Sequence, residues 1–126
     1  MKQLTIMIKP ASSLCNLRCR YCFYADVAGM REVKAYGVMS EENTGLMLTR
    51  LREQLLPGDR INFAFQGGEP TLAGLSWFQK FTDICGQWDP EIAVTYALQT
   101  NAVALDMQWC QYLSAHQYLV GVSWDV

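Results

Sequence analysis

Four short segments rich in β-branched and aromatic residues alternate with three segments of helical periodicity, and this alternation constrains the fold more than any other feature. Lys2 to Lys9 reads as a strand that Pro10 stops. Ser40-Glu41-Glu42 opens a helix: the Ser caps, the acids favour the positive end, Leu48, Leu51 and Leu55 form a stripe, and Pro57-Gly58 ends it. Arg60 to Gln66 places large apolar residues at 61, 63 and 65, a strand, and Gly67-Gly68-Glu69-Pro70 is a turn. Phe78, Phe81, Cys85 and Trp88 recur at helical spacing up to Asp89-Pro90. Ile92, Val94, Tyr96 and Leu98 mark a third strand. A helix from about Asp106 to His116 packs Trp109, Cys110 and Leu113. Leu119 to Asp125 is a fourth strand. The order predicts an α/β fold, β-α-β-α-β-α-β, in which right-handed crossovers cover a parallel sheet with helices. On this reading the strands are too apolar for one face to meet solvent. One long irregular segment, Cys15 to Met39, joins the first strand to the first helix.

Composition narrows the class. A length of 126 residues suits one domain, and 51% apolar residues suffice for a core, which excludes disordered and collagen-like chains. The longest uncharged stretch, Ile92 to Leu105, is broken by Thr95, Gln99, Thr100 and Asn101, so no bilayer span is expected. The run from Met1 to Ile8 is too short for a secretory leader, and a cytoplasmic protein is expected. The net charge is −2, and nothing suggests the clustered basic face that a nucleic-acid partner would require.

Five cysteines, an odd number, argue against a disulfide framework. Cys85 and Cys110 fall on apolar helical faces and read as core. Cys15, Cys19 and Cys22 instead crowd together with C-x3-C-x2-C spacing. Three thiolates on one loop can wrap an iron–sulfur cubane. Such clusters usually take four, so one iron keeps an open position, where chemistry happens. The alternatives are a structural zinc, for which the single His116 is remote, and a thioredoxin-like Cys19/Cys22 pair, which leaves Cys15 unexplained. In parallel α/β folds, active residues follow the carboxyl ends of strands. That rim collects the cysteine loop, Gln66 to Thr71, Gln99 to Asn101, Ser123 and Asp125. Plain structural readings stand beside these: a turn at 67–70, capping for Gln99 and Asn101, a strand-end hydroxyl for Ser123, and a surface carboxylate for Asp125.

The cysteine triplet with Tyr21 before its last Cys resembles the radical S-adenosylmethionine superfamily. The motifs Ile-Lys-Pro-Ala-Ser-Ser (8–13), Cys-Phe-Tyr (22–24), Phe-Gln-Gly-Gly-Glu-Pro-Thr-Leu-Ala-Gly (65–74), Leu-Gln-Thr-Asn (98–101) and Tyr-Leu-Val-Gly-Val-Ser (118–123) are similar to the anaerobic sulfatase-maturating enzymes along the whole chain. The resemblance implies that Cys15, Cys19 and Cys22 ligate a [4Fe-4S] cluster whose open iron binds S-adenosylmethionine. One-electron reduction would then yield the 5′-deoxyadenosyl radical, which abstracts hydrogen from substrate. It implies that Gly67 and Gly68 bring backbone close to the methionine portion, and that Glu69 accepts from its ammonium. Tyr21, Gly68 and Ser123 would contact the nucleoside or methionine, with Gln66, Gln99 and Asn101 lining the same rim. Formylglycine formation from Cys or Ser on a target sulfatase follows as the expected activity, with an electron donor such as a flavodoxin or ferredoxin.

An eight-unit barrel takes about 250 residues, or roughly 30 per unit, so 126 residues supply three units and one extra strand. That is the N-terminal part, about half, of a TIM-like partial barrel of the radical S-adenosylmethionine core. The family's auxiliary-cluster domain and the Asp that accepts a proton fall outside this chain, so no catalytic residue is assigned. Val126 stands where the family pattern has Gly. The fourth strand is expected to have an open apolar edge, leaving the isolated chain marginal and prone to self-association. The competing functional readings are a remnant that binds cluster and cofactor without turnover, and a structural metal-binding module.

Overall fold

The computed structural model describes residues 1–11 and 38–123. Four parallel strands, β1 (Gln3–Ile8), β2 (Arg60–Phe65), β3 (Ala93–Thr100) and β4 (Leu119–Val122), lie side by side in sequence order. Between them run α1 (Glu41–Glu53), α2 (Leu75–Gly86) and α3 (Met107–Ala115), with a 3-10 turn at Pro70–Ala73 ahead of α2. The expected β-α-β-α-β-α-β order is therefore present. Ser40 caps α1 by accepting from the Asn43 amide at 3.1 Å, and Asp106 caps α3 by accepting from the Trp109 amide at 2.9 Å.

Sequential strand order with a constant crossover hand puts every helix on one side of the sheet; helices on both faces require the order to reverse. Ile61, Phe63 and Phe65 of β2 and Leu98 of β3 accordingly share one core with residues of all three helices, among them Leu48, Phe78, Phe81 and Leu113. The Phe65 ring meets Phe78 and Phe81 edge-on, with centroids 5.0 and 5.1 Å away. On the opposite face Thr5, Asn62 and Thr95 stand in register across three strands, and Thr95 Oγ1 donates to Asn62 Oδ1 at 2.9 Å. This corrects the expectation of strands apolar on both faces. In β2 and β3 the large apolar residues occupy alternate positions, and small or polar ones such as Asn62, Ala64, Thr95 and Ala97 line the face that the described helices leave open, where Met7 of β1 and Leu119 of β4 also stand exposed.

Two further expectations change. Cys85 is buried, but Cys110 is exposed, because α3 turns Trp109, Tyr112 and Leu113 to the core instead. The fourth strand ends at Val122 rather than Asp125, which lies outside the described residues. β4 is an outer strand of the sheet, pairing with β3, and Leu119 and Val122 are exposed as the open-edge argument anticipates. Among the described residues, no helix is long and apolar enough to cross a membrane.

Candidate cofactor-binding rim

The carboxyl ends of the strands form one rim. At β1, Pro10 and Ala11 are buried, and the Pro10 carbonyl accepts from the Met39 amide at 2.6 Å. The Met39 carbonyl in turn accepts from Trp77 Nε1 of α2 at 3.0 Å. Pro10 and Met39, the described residues on either side of the sequence that carries Cys15, Cys19, Tyr21 and Cys22, are thus joined at the end of β1. Those four residues themselves lie outside the described ones. Among the described residues no group of three His, Cys, Asp or Glu side chains is placed to hold a metal.

At β2, the Gln66 amide donates to the Ile8 carbonyl at 2.9 Å and extends the ladder by one step. Gly67 follows with φ 114°, the left-handed side that other residues rarely adopt, so this turn requires glycine. Glu69 comes next and is only 1% exposed. A carboxylate taken out of water needs its oxygens satisfied by donors. Glu69 Oε2 accepts from the Thr71 amide at 3.2 Å, from the Thr71 hydroxyl, and from Thr100 Oγ1 at 2.7 Å. Its Oε1 accepts from the Asn101 amide at 2.7 Å. Glu69 therefore joins the loop after β2 to the end of β3.

At β3 and β4, Asn101 Oδ1 accepts from the Val103 amide at 3.0 Å, closing a local turn. The Ser123 amide donates to the Thr100 carbonyl at 2.9 Å, and Gln99 Nε2 donates to Ser123 Oγ at 2.6 Å. The rim thus brings Gln66, Gly67, Gly68, Glu69, Gln99, Asn101 and Ser123 onto three adjacent strand ends. Thr71 and Thr100, inside the rim segments the sequence marks, tie these ends together through Glu69, and Gly121, which the sequence reading does not single out, completes the rim. A glycine inside a strand pattern is a signal of close approach that would have marked Gly121. The donor set suits a polar zwitterion: amide and hydroxyl side chains on the open face, and a glycine turn that lets backbone approach.

The chain matches no family model. It is 42% identical over 126 residues to the cysteine-type anaerobic sulfatase-maturating enzyme of Clostridium perfringens, covering 99% of this chain and 34% of that protein. Against the serine-type anaerobic sulfatase-maturating enzyme of Bacteroides thetaiotaomicron the identity is 30% over 125 residues, with 98% and 30% covered. The solved structure of native anSMEcpe with bound AdoMet is similar with a TM-score of 0.85 and 42% identity, over 97% of this chain and 33% of that one. A second, with bound AdoMet and Kp18Cys peptide, gives 0.83 and 41%, over 98% and 32%. The chain spans about a third of the length of these relatives. By sequence over nearly its whole length and by fold, it is a relative of the anaerobic sulfatase-maturating enzymes and corresponds to the N-terminal portion of their radical S-adenosylmethionine core.

Proposed function

We propose that this chain is the cluster- and cofactor-binding portion of a radical S-adenosylmethionine protein of the sulfatase-maturating type, acting in the cytoplasm on a Cys or Ser side chain of a target sulfatase. One observation supports the reading: Pro10 and Met39, which flank the C-x3-C-x2-C triplet in sequence, are hydrogen-bonded to each other on the same rim as the Gly67-Gly68-Glu69 turn and the Gln99–Ser123 pair. In this reading Cys15, Cys19 and Cys22 hold a [4Fe-4S] cluster with one open iron. A cluster held there would supply one-electron reduction of the sulfonium of S-adenosylmethionine, the chemistry that yields methionine and a 5′-deoxyadenosyl radical able to abstract hydrogen from the target side chain.

The chain's own residues bind and orient. Tyr21, Gln66, Gly68, Asn101 and Ser123 line the cofactor, and Gly67 and Gly68 let backbone reach the methionine portion. Glu69 holds that turn through its four hydrogen bonds. Its Oε1, which takes one of them, is the oxygen left to meet the ammonium. A flavodoxin or ferredoxin would deliver the electron.

Anaerobic reconstitution with iron and sulfide tests this. The expected product carries about four iron and four acid-labile sulfide per chain, and loses both when Cys19→Ala is introduced. Adding reductant and S-adenosylmethionine is expected to release 5′-deoxyadenosine. Zinc without labile sulfide would overturn the proposal. The chain spans only about a third of its relatives, which favours a second reading: cluster and cofactor binding without turnover. It predicts the same metal content, with no 5′-deoxyadenosine and no change in a sulfatase peptide.

A further inference from the structure

Gly121 lies within β4, directly opposite Gln99 of β3. A glycine inside a strand costs roughly 0.5–1 kcal/mol relative to alanine, so it calls for a reason. Backbone conformation is not the reason, since Gly121 is not among the residues with positive φ. Space is: a Cβ at 121 would stand 2.3 Å from Gln99 Oε1, closer than atoms can sit, and 3.3 Å from its Cδ, so the Gln99 side chain could not keep its present course. The Gln99 side chain crosses over Gly121 to Ser123, where Nε2 donates to Oγ at 2.6 Å.

We infer that Gln99 is a positioning residue, laid across Gly121, that fixes the Ser123 hydroxyl as a donor to an acceptor atom of the bound nucleoside or amino-acid carboxylate. The inference rests on the reading of this rim as a S-adenosylmethionine site. A hydroxyl has one proton and two lone pairs, whereas an amide N–H can only donate. By donating to Ser123 Oγ, Gln99 takes one lone pair and leaves the hydroxyl proton free to be given elsewhere. The Ser123 backbone is held independently by Thr100, so Gln99 controls the direction of this hydroxyl rather than the position of its strand.

The test is equilibrium dialysis of S-adenosylmethionine against the anaerobically reconstituted chain and its variants. Gln99→Glu keeps the size of the side chain but turns the Ser123 proton back toward position 99. It is expected to weaken binding roughly fivefold, by about as much as Ser123→Ala. In the Ser123→Ala background Gln99→Glu is expected to change nothing further, and Gly121→Ala is expected to reproduce Gln99→Ala. The visible absorbance of the cluster should be the same in all of them. Wild-type binding with Gln99→Glu equally tight, or effects of positions 99 and 123 that multiply, would overturn the inference while leaving the site reading intact. No binding by the wild type would overturn both. Gln99 and Ser123 are exposed, so folding is expected to survive. Should Gln99→Glu unfold, the Gln99→Ala/Ser123→Ala cycle decides in the same way.

Discussion

Glu69 Oε2 accepts a hydrogen bond from Thr100 Oγ1 at 2.7 Å across 31 residues of chain. The same hydroxyl oxygen accepts from the Ala102 amide at 3.1 Å, so Thr100 serves both loops at once. Thr100→Val leaves a buried carboxylate short of a donor and is expected to cost about 1–3 kcal/mol, with Thr100→Ser retaining most of the stability. Urea unfolding measures both, and equal midpoints for the valine variant and wild type would refute the role given to this hydroxyl.

Asp59 supplies a pH dependence. Its Oδ1 accepts from the Lys2 amide at 2.7 Å and its Oδ2 from the Leu56 amide at 2.8 Å, and these backbone donors hold its carboxyl below the usual 3.8. The folded value is depressed, so the contribution is present above the unfolded value and is lost as pH falls below 3.8 through the folded one. Asp59→Asn is expected to flatten the acid limb of a plot of urea midpoint against pH. Parallel limbs would sink the assignment.

The two cysteines outside the triplet separate by environment. Burial pushes the Cys85 thiol up to about 12, against the lowering effect of a hydrogen bond with Tyr96, while Cys110 is exposed. At about pH 8 a thiol so raised is ionised roughly one part in ten thousand. Peptide mapping after iodoacetamide treatment should find Cys110 alkylated promptly and Cys85 only once the chain is unfolded. Comparable rates at the two positions would contradict the packing of α3.

The two faces of β2 predict opposite tolerance. Phe63 is fully buried, edge-on to Phe81 at 4.9 Å, and Phe63→Ala is expected to cost about 3–5 kcal/mol. Ala64, next in the strand, points to the face the described helices leave open, and Ala64→Ser should stay within about 0.5 kcal/mol. Thermal melts of the pair would reject the one-sided core if the losses were similar.

Much of this was legible before the structure. Strand and helix order followed from period, and Ser40 announced α1 because an N-cap acts three residues away. Cys110 misled because spacing with Leu113 admits two stripes on α3. The competing stripe wins because Tyr112 OH finds partners, donating to the Phe78 carbonyl at 2.9 Å and meeting Tyr118 OH at 2.8 Å. The open face is present in the alternation of β2, where Asn62 and Ala64 separate Ile61, Phe63 and Phe65, but the large apolar residues dominate the pattern.

The chain's sequence by itself determined the order of elements, the glycine turn after β2, the cysteine spacing and the kinship these motifs carry, since each depends on residues a few positions apart. Only the tertiary structure decided that Glu69 is tied to Thr100 and Asn101, and that Gln99 reaches Ser123 over Gly121. Those partners lie 24 to 32 residues apart, and strand register and loop closure, which no local pattern encodes, bring them within hydrogen-bonding distance.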